Sequence, residues 1–307
     1  MSKMPEKVRA QRNAIVQSFI DNLDNGGLKF VQEWALAPSP FNPLTGNVYR
    51  GCNRTNLRAI AQIRGISDPR WLTWRQIQNA GLRVKRGARS AAIEKWKRFT
   101  YERAVEGTDA TETRVGLACV GYYNVFSATD VIGLPAWEPP TRRALPESEV
   151  TQVADALIAS SRCPVVENDE PSAYYSIDRD TIHLPSRELF LGADATRAQH
   201  FVRTLSHEMV HSTIVPLHRT VTDRAFEELV AELGAVMLTD ALGLAIILDA
   251  SDANFSQHAS YLRSWSRGLK DRPQSLWNAA ARADAAVEYL VGRYANGGAH
   301  DTANSPN

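Results

Sequence analysis

The sequence predicts an α+β protein of two domains, and three observations lead to this expectation. The chain has 307 residues, about twice the usual size of one domain, and 44% of them are hydrophobic, which is enough for a sizeable core. Segments with helical periodicity and segments rich in β-formers occur in both halves. Between the halves, Pro135, Pro139 and Pro140 favour an extended linker. We therefore expect domains at 1–140 and 141–296, followed by a flexible tail at 297–307.

The first domain is expected to have a mixed α/β structure. Apolar residues at helical spacing predict the first helix, which Gly26 and Gly27 should end. Thr73 is expected to be the N-cap residue of a later helix. The helices are predicted at 6–23, 53–63 and 73–80, and the strands at 83–92, 93–101 and 114–126.

The second domain is expected to be mainly helical. The clearest helix, at 196–213, has an apolar stripe formed by Ala198, Phe201, Val202, Leu205, Met209 and Val210. The other helices are predicted at 149–160, 223–242, 255–269 and 273–294. A β-hairpin is predicted at 173–184, with its turn at Asp178-Arg179-Asp180.

The charge of the chain is distributed unevenly. Residues 1–140 contain 20 Lys and Arg against 12 Asp and Glu, whereas the remainder contains 15 against 22. Residues 50–98 contain 13 basic residues and only two acidic ones. A surface for nucleic acid is therefore expected in the first domain.

The three cysteines, Cys52, Cys119 and Cys163, are too few and too far apart for a disulfide framework or a zinc knuckle. The longest apolar stretch, Leu242 to Leu248, is too short to span a bilayer. The N-terminal residues contain no apolar segment typical of a secretory signal. We expect a soluble cytoplasmic protein that does not bind a membrane.

The motif His207-Glu208-Met209-Val210-His211 predicts a metal site on the helix at 196–213. Residues four apart lie on one helix face, so His207 and His211 can bind one ion, while Glu208 can accept a proton from a metal-bound water. This chemistry is typical of a zinc-dependent peptidase. The alternatives are two half-buried histidines with no ion, and a metal site without catalysis.

A catalytic zinc ion needs a third protein ligand, and the helix at 223–242 offers candidates. Glu228 and Glu232 share one face of that helix. The pattern resembles the ligand helix of the zincin peptidases called gluzincins, in which the first acid binds the metal and the second orients a ligating histidine. This resemblance implies Glu228 as the ligand and Glu232 behind it, with Glu232 as the alternative ligand. Glu227 is expected to point into solvent.

The basic segment at 50–98 is interleaved with aromatic residues, a combination that favours single-stranded over double-stranded DNA. Trp71 and Trp74 could each instead be core residues. The candidate contacts are Tyr49, Arg50, Asn53, Arg70, Trp71, Trp74, Lys85, Arg86 and Arg89, followed by the basic run Lys95-Trp96-Lys97-Arg98.

Several motifs closely resemble the N-terminal domain of ArdC-type antirestriction proteins, which is shared with TraC-type plasmid primases. In this sequence they are Asn42-Pro43-Leu44-Thr45-Gly46, Tyr49-Arg50-Gly51-Cys52-Asn53, Asp68 to Trp74, Val84-Lys85-Arg86-Gly87 and Tyr123-Asn124-Val125-Phe126. The second half continues the resemblance through Tyr174-Tyr175, Asp180 to Pro185, His207 to Thr213, Glu227 to Gly234 and Ala279 to Leu290. The chain differs from the family pattern at Ile214-Val215-Pro216 and at Gly87-Ala88-Arg89-Ser90.

The resemblance implies a single-stranded-DNA-binding domain joined to a zincin-like metallopeptidase domain, which holds Zn²⁺ or another divalent metal such as Mn²⁺. It further implies protection of incoming mobile-element DNA from host restriction, with a host restriction protein or a DNA-bound protein as the possible substrate. Two alternatives remain: a DNA-binding shield with a non-catalytic metal site, and a protease for DNA-bound proteins. A shield has no need of a general base at Glu208, whereas both peptidase functions require one.

Overall fold

The structure, a computed structural model, describes residues 4–24, 37–104, 111–139, 145–192, 194–244 and 267–297. The predicted helix end at Gly26-Gly27, most of the helix expected at 255–269, and nearly all of the tail at 297–307 lie outside these residues. Among the described residues, no helix has the length and apolar composition needed to cross a bilayer.

The chain divides into two compact units. Unit 1 consists of Met1–Ile15 and Ser39–Trp137, and unit 2 consists of Val16–Pro38 and Glu138–Asn307. Unit 1 thus ends near the predicted linker, but residues 16–38, which the sequence analysis assigned to the first domain, belong to unit 2. Apolar spacing within the first helix identified its buried residues but not the unit to which each belongs.

Unit 1 combines short helices with two small antiparallel sheets. Its elements are the first part of α1 (Glu6–Asp24), α2 (Gly51–Ile63), β1 (Trp71–Thr73), α3 (Trp74–Asn79), β2 (Arg83–Val84), β3 (Ala91–Ala104), β4 (Thr111–Ser127) and β5 (Val131–Ile132). One sheet has the order β1-β4-β3, and the other pairs β2 with β5. Leu72 of β1, Ile77 of α3, Ala128 and Val131 of β5 form a buried cluster.

Thr73 is confirmed as the N-cap residue of α3. Its side chain accepts a hydrogen bond from the backbone N–H of Gln76, and the Gln76 side chain accepts one from the backbone N–H of Thr73.

The prediction of one continuous strand at 83–92 is wrong. The chain leaves β2 after Val84, turns at Arg86-Gly87, where Gly87 has a φ of 83°, and enters β3 at Ala91.

Unit 2 is mainly helical with one three-stranded sheet. Its elements are the second part of α1, α4 (Glu147–Ala159), β6 (Val165–Asn168), β7 (Tyr174–Ser176), β8 (Thr181–Pro185), α5 (Asp194–Ser212), α6 (Arg224–Ala241) and α7 (Ser275–Ala295). Strand β8 is central, parallel to β6 and antiparallel to β7, so β7 is an edge strand. The predicted hairpin is β7–β8, and Asp180 in its turn has a φ of 48°.

The packing of α5 against α6 positions the candidate metal site. Phe201, Leu205, Met209 and Val210 of α5 are buried, as the apolar stripe predicted. At the crossing, Gly234 of α6 lies against Val210, so close that a Cβ on Gly234 would come within 2.7 Å of a Val210 methyl carbon. The absence of a side chain at Gly234 therefore lets the two helices approach closely.

Candidate functional site

His207 and His211 lie one turn apart on α5 and direct their Nε2 atoms towards the same point. The two Nε2 atoms are 3.1 Å apart. Oε2 of Glu228, on α6, lies 3.4 Å from Nε2 of His207 and 3.8 Å from Nε2 of His211. The fold thus brings together three potential ligands that are distant in the sequence.

These three side chains fit a divalent metal ion. Their ligand atoms lie 3.1 to 3.8 Å apart, a separation compatible with one ion bound to all three at the usual zinc bond lengths of about 2.0–2.2 Å. The neighbouring carboxylates also favour the protonated form of His207. Burial lowers the pKa of His207, but hydrogen bonds to Glu228 and Glu232 outweigh burial and raise the pKa to about 10.

Glu232 lies behind His207 and not among the three converging atoms. Its Oε1 is 3.3 Å from Nδ1 of His207, and its Oε2 is 3.2 Å from Arg203. A carboxylate at Nδ1 fixes the tautomer and ring orientation of a ligating histidine. The geometry therefore favours Glu228 as the ligand and Glu232 as the residue that orients His207.

The prediction that Glu227 points into solvent is wrong. Glu227 is only 3% exposed, and its Oε1 lies 3.3 Å from Nδ1 of His211. Both of its carboxylate oxygens accept hydrogen bonds of 2.7 Å from Arg219. Helical periodicity separates Glu227 from the face of Glu228, but it does not show that Arg219 and His211 lie on the side to which Glu227 points.

Arg219 lies in the segment between α5 and α6 and makes hydrogen bonds to both helices. Besides Glu227, it donates to the Val210 carbonyl at 2.9 Å and to the Thr213 hydroxyl at 3.0 Å. Arg219 could not be predicted from the sequence, because no motif links a residue in this segment to the end of α5. The guanidinium holds the C-terminal end of α5 beside the first turn of α6.

Glu208 is buried beside the two histidines, with 6% of its surface exposed. Burial raises the pKa of its carboxyl group, although the charges of His207 and His211 and a hydrogen bond from the backbone N–H of Tyr175 oppose this effect. Tyr175 belongs to the edge strand β7. The candidate general base therefore lies between the metal-binding residues and an edge strand.

Three of the predicted DNA contacts are structural residues. Trp71 is completely buried. Arg70 is 7% exposed, makes two hydrogen bonds to Asp68, and donates to the Pro135 carbonyl. Asn53 joins α2 to β3 through hydrogen bonds to the backbone N–H and carbonyl of Glu94. Trp71 and Arg70 are thus buried within unit 1, whereas Asn53 is half-buried, and its contact with DNA stays a prediction.

The other predicted contacts remain accessible to different degrees. Tyr49 is half-buried, and its hydroxyl donates to the Trp71 carbonyl at 3.2 Å. Trp74 is 53% exposed, and Lys85 is exposed although its ammonium donates to the Thr129 carbonyl. Arg50, Arg86 and Arg89 are exposed.

Two family models match this chain. Residues 9–126 match the N-terminal domain of the anti-restriction factor ArdC. Residues 152–282 match a zincin-like metallopeptidase family. The two matches together cover unit 1 from α1 to β4 and the helices of the candidate metal site.

The chain is also similar to individual proteins of known sequence or structure. The ArdC antirestriction protein of plasmid R388 is 30% identical in its metal-free crystal structure, with a TM-score of 0.66, and the match covers 93% of this chain and 98% of that one. An Mn(II)-bound structure of the same protein has the same TM-score and coverage, with 28% identity. Two DNA primases named TraC from Escherichia coli are 29% and 27% identical over 94% and 90% of this chain, which spans only 28% and 19% of their lengths.

Proposed function

The chain belongs to the ArdC family of antirestriction proteins, and on that premise we propose that it is a zinc-dependent peptidase that also binds single-stranded DNA without sequence preference. In this proposal the protein protects incoming mobile-element DNA from host restriction. The observation that carries the peptidase part is the convergence of His207, His211 and Glu228 beside the buried carboxyl group of Glu208.

His207, His211 and Glu228 would hold the ion. A bound zinc ion polarises a carbonyl group and lowers the pKa of a bound water. Glu208 would accept the proton of the attacking water and pass it to the nitrogen of the leaving amine. The burial of Glu208 suits this role, because a carboxylate with a raised pKa is a stronger base and accepts a proton more readily near neutral pH.

The remaining exposed candidates support the DNA-binding part. Arg50, Lys85, Arg86 and Arg89 are basic, and Trp74 offers an aromatic ring. We propose a host restriction protein or another DNA-bound protein as the substrate, and the cytoplasm as the location. The free thiols Cys52 and Cys163, both buried, are consistent with a reducing compartment.

The metal and peptidase parts are tested with purified full-length protein. We expect about one zinc ion per chain, measured by atomic emission, and loss of that ion in the His207→Ala and His211→Ala variants. Zinc-dependent cleavage of an unfolded protein such as casein, with and without added single-stranded DNA, would establish peptidase activity. Stoichiometric zinc in the variant lacking both histidines would disprove the site.

The DNA part is tested by fluorescence anisotropy with labelled single-stranded and double-stranded oligonucleotides of several sequences. We expect tighter binding to single strands, little dependence on base sequence, and affinity that falls steeply as salt rises. Equal affinity for duplex and single strand, or binding insensitive to salt, would contradict the proposal.

A further inference from the structure

The longest element of unit 1 is the ribbon formed by β3 and β4. The two strands pair from Ala91 opposite Val125 to Ala104 opposite Thr111, with a bulge at Lys95/Trp96. Because successive side chains of a strand point to opposite faces, Lys95, Lys97, Phe99 and Tyr101 share one face. Together with Tyr123, which pairs with Ile93 on the same side, we call these five residues the ribbon face.

Small residues of β4 leave the ribbon face uncovered. Lys95, Lys97 and Phe99 pair with Gly121, Ala118 and Gly116, respectively. The Phe99 ring lies directly over Gly116, where a Cβ would come within 2.6 Å of the ring. Since β4 contributes almost no side-chain volume here, the outer surface of the ribbon is formed by the side chains of β3.

The aromatic rings of this face are large, apolar and exposed. Phe99 is 47% exposed, Tyr101 43% and Tyr123 46%. The Phe99 and Tyr101 ring centroids are 5.9 Å apart, at an interplanar angle of 37°. Exposed rings at this density are uncommon on the surface of a soluble protein, where large apolar side chains in groups indicate a binding site.

The positive charge of the ribbon face identifies the chemistry of its partner. Lys95 and Lys97 are exposed, and the Lys95 ammonium lies 5.6 Å from the centre of the Tyr123 ring. Between Lys95 and Tyr101, β3 has no acidic residue on the ribbon face. Successive side chains of β3 on this face are roughly 7 Å apart along the strand. Cations beside exposed rings match a polymer of phosphates and unpaired bases.

We propose that the ribbon face is a stacking surface for single-stranded DNA, an inference that rests on the DNA-binding part of the proposed function. Phe99, Tyr101 and Tyr123 stack on unpaired bases, while Lys95 and Lys97 contact the phosphates. A duplex offers these rings no base faces, because its bases are stacked on one another. The individual contacts predicted from the sequence, Tyr49 to Arg89, all precede residue 90, whereas the residues of the ribbon face all follow it.

The opposite face of the ribbon provides matched controls. Arg98 is exposed, lies next to Lys97, and points to the other side. Trp96 is 46% exposed, nearly as much as Phe99, but also lies on the other side, where its indole N–H donates to Glu94 at 3.1 Å. The two members of each pair, Lys97 with Arg98 and Phe99 with Trp96, therefore are both exposed and share their charge or aromatic character, but they lie on opposite faces of the ribbon.

The experiment compares Lys97→Ala with Arg98→Ala, and Phe99→Leu with Trp96→Leu, in the full-length protein. Anisotropy with a labelled oligothymidylate of 20 nucleotides measures affinity over a range of salt concentrations, and thermal unfolding confirms that each variant is folded. Leucine in place of Phe99 keeps an apolar side chain over Gly116 and removes only the ring.

We expect Phe99→Leu to lower the affinity for the single strand at least about fivefold, and Trp96→Leu to change it little. Lys97→Ala should reduce the slope of log affinity against log salt by roughly 0.7, the value for one phosphate contact on a single strand, whereas Arg98→Ala should leave the slope unchanged. If the wild-type protein binds no single-stranded DNA, the proposed function itself fails. If the wild type binds but both members of each pair behave alike, the ribbon face is not the binding surface.

Discussion

At the scale of single residues, the two histidines of the candidate metal site are held by carboxylates other than that of Glu228. Each histidine has one nitrogen directed at the site and the other within 3.3 Å of a glutamate, Glu232 for His207 and Glu227 for His211. Each of these glutamates is in turn held by an arginine, Arg203 or Arg219. The two imidazoles are therefore oriented before any metal binds.

The first prediction concerns Glu227. In Glu227→Gln, the amide is a weaker acceptor for His211 and no longer pairs with the charge of Arg219, so the zinc affinity should fall by roughly 10- to 100-fold, the usual cost of losing such a partner. Competition with a chromophoric chelator measures this affinity. Glu288→Gln, which removes an exposed acid on α7, should bind zinc like the wild type. Unchanged affinity in Glu227→Gln would show that His211 does not depend on this carboxylate.

The second prediction concerns a thiol. Burial, together with the negative charge of Glu94, raises the pKa of Cys52 to about 12. At pH 8 a pKa raised from 9.0 to about 12 reduces the fraction of reactive thiolate in the folded state roughly a thousandfold. Iodoacetamide should therefore modify Cys52 far more slowly in native than in urea-unfolded protein, as site-resolved mass spectrometry can measure. Equal rates in the two states would contradict the burial of this thiol.

The part of the site that follows from local geometry could be predicted from the sequence. His207, Glu208 and His211 are related by the helical repeat alone, and Glu228 and Glu232 by the same repeat in the next helix. The positions of Glu227 and Arg219 could not be predicted, because they depend on the path of the chain between the helices. The burial of Trp71 and the exposure of Trp74 likewise depend on tertiary packing, which the local sequence pattern around these two residues does not reveal.

At the scale of secondary-structure elements, the close crossing of α5 and α6 is what brings Glu228 to the two histidines. The ligands of α5 and α6 come from different segments, so their separation depends on the distance between the helix axes. Gly234 allows the two helices to approach at Val210, one residue before His211. A larger residue at this crossing would therefore affect the metal site although it contacts no ligand.

The third prediction is that Gly234→Ala destabilises the protein, although alanine is the better helix former. The added Cβ would meet Val210 at 2.7 Å, and such overpacking typically costs about 1–3 kcal/mol. The melting temperature and the zinc affinity should both fall. Gly292→Ala is the matched control: Gly292 lies in α7 with nothing within 4 Å of an added Cβ, so this change should stabilise the protein by about 0.5–1 kcal/mol. Similar shifts in the two variants would show that the crossing tolerates a methyl group.

The length of an element decided how well the sequence predicted it. Both ends of each of the helices α4, α5, α6 and α7 lie within two residues of the predicted bounds, because each helix has several turns of apolar periodicity. The strands β1, β2, β5 and β6 have two to four residues each and were not predicted as such. Strands this short form only because a distant segment pairs with them, as β1 pairs with the end of β4.

At the scale of the whole molecule, the two proposed activities belong to different parts of the chain. The candidate metal site lies in unit 2, and the ribbon face lies in unit 1. A variant that changes one site should therefore leave the other intact. This separation allows the contribution of each activity to protection of incoming DNA to be measured.

The fourth prediction uses Glu208→Gln to remove peptidase activity alone. Glutamine has nearly the shape of glutamate and leaves His207, His211 and Glu228 unchanged, but it cannot accept the proton. Zinc content and single-strand affinity should stay near the wild-type values, while peptidase activity falls by roughly 10²–10⁴, the usual contribution of a positioned general base. Cleavage of a confirmed substrate at the wild-type rate would show that Glu208 is not the base.

The same variant decides how protection works when DNA enters a restricting host. We expect protection to survive Glu208→Gln, because a protein that coats a single strand already denies duplex-specific nucleases their substrate, and the exposed rings and lysines of unit 1 suffice for coating. Transfer frequency into restricting and non-restricting hosts measures protection, and the variant Phe99→Leu/Lys97→Ala provides the reciprocal test. Loss of protection in Glu208→Gln with intact DNA binding would make cleavage of a host protein part of the mechanism. Loss of protection only in the ribbon variant would instead assign it to DNA coating and leave the peptidase site with a separate purpose.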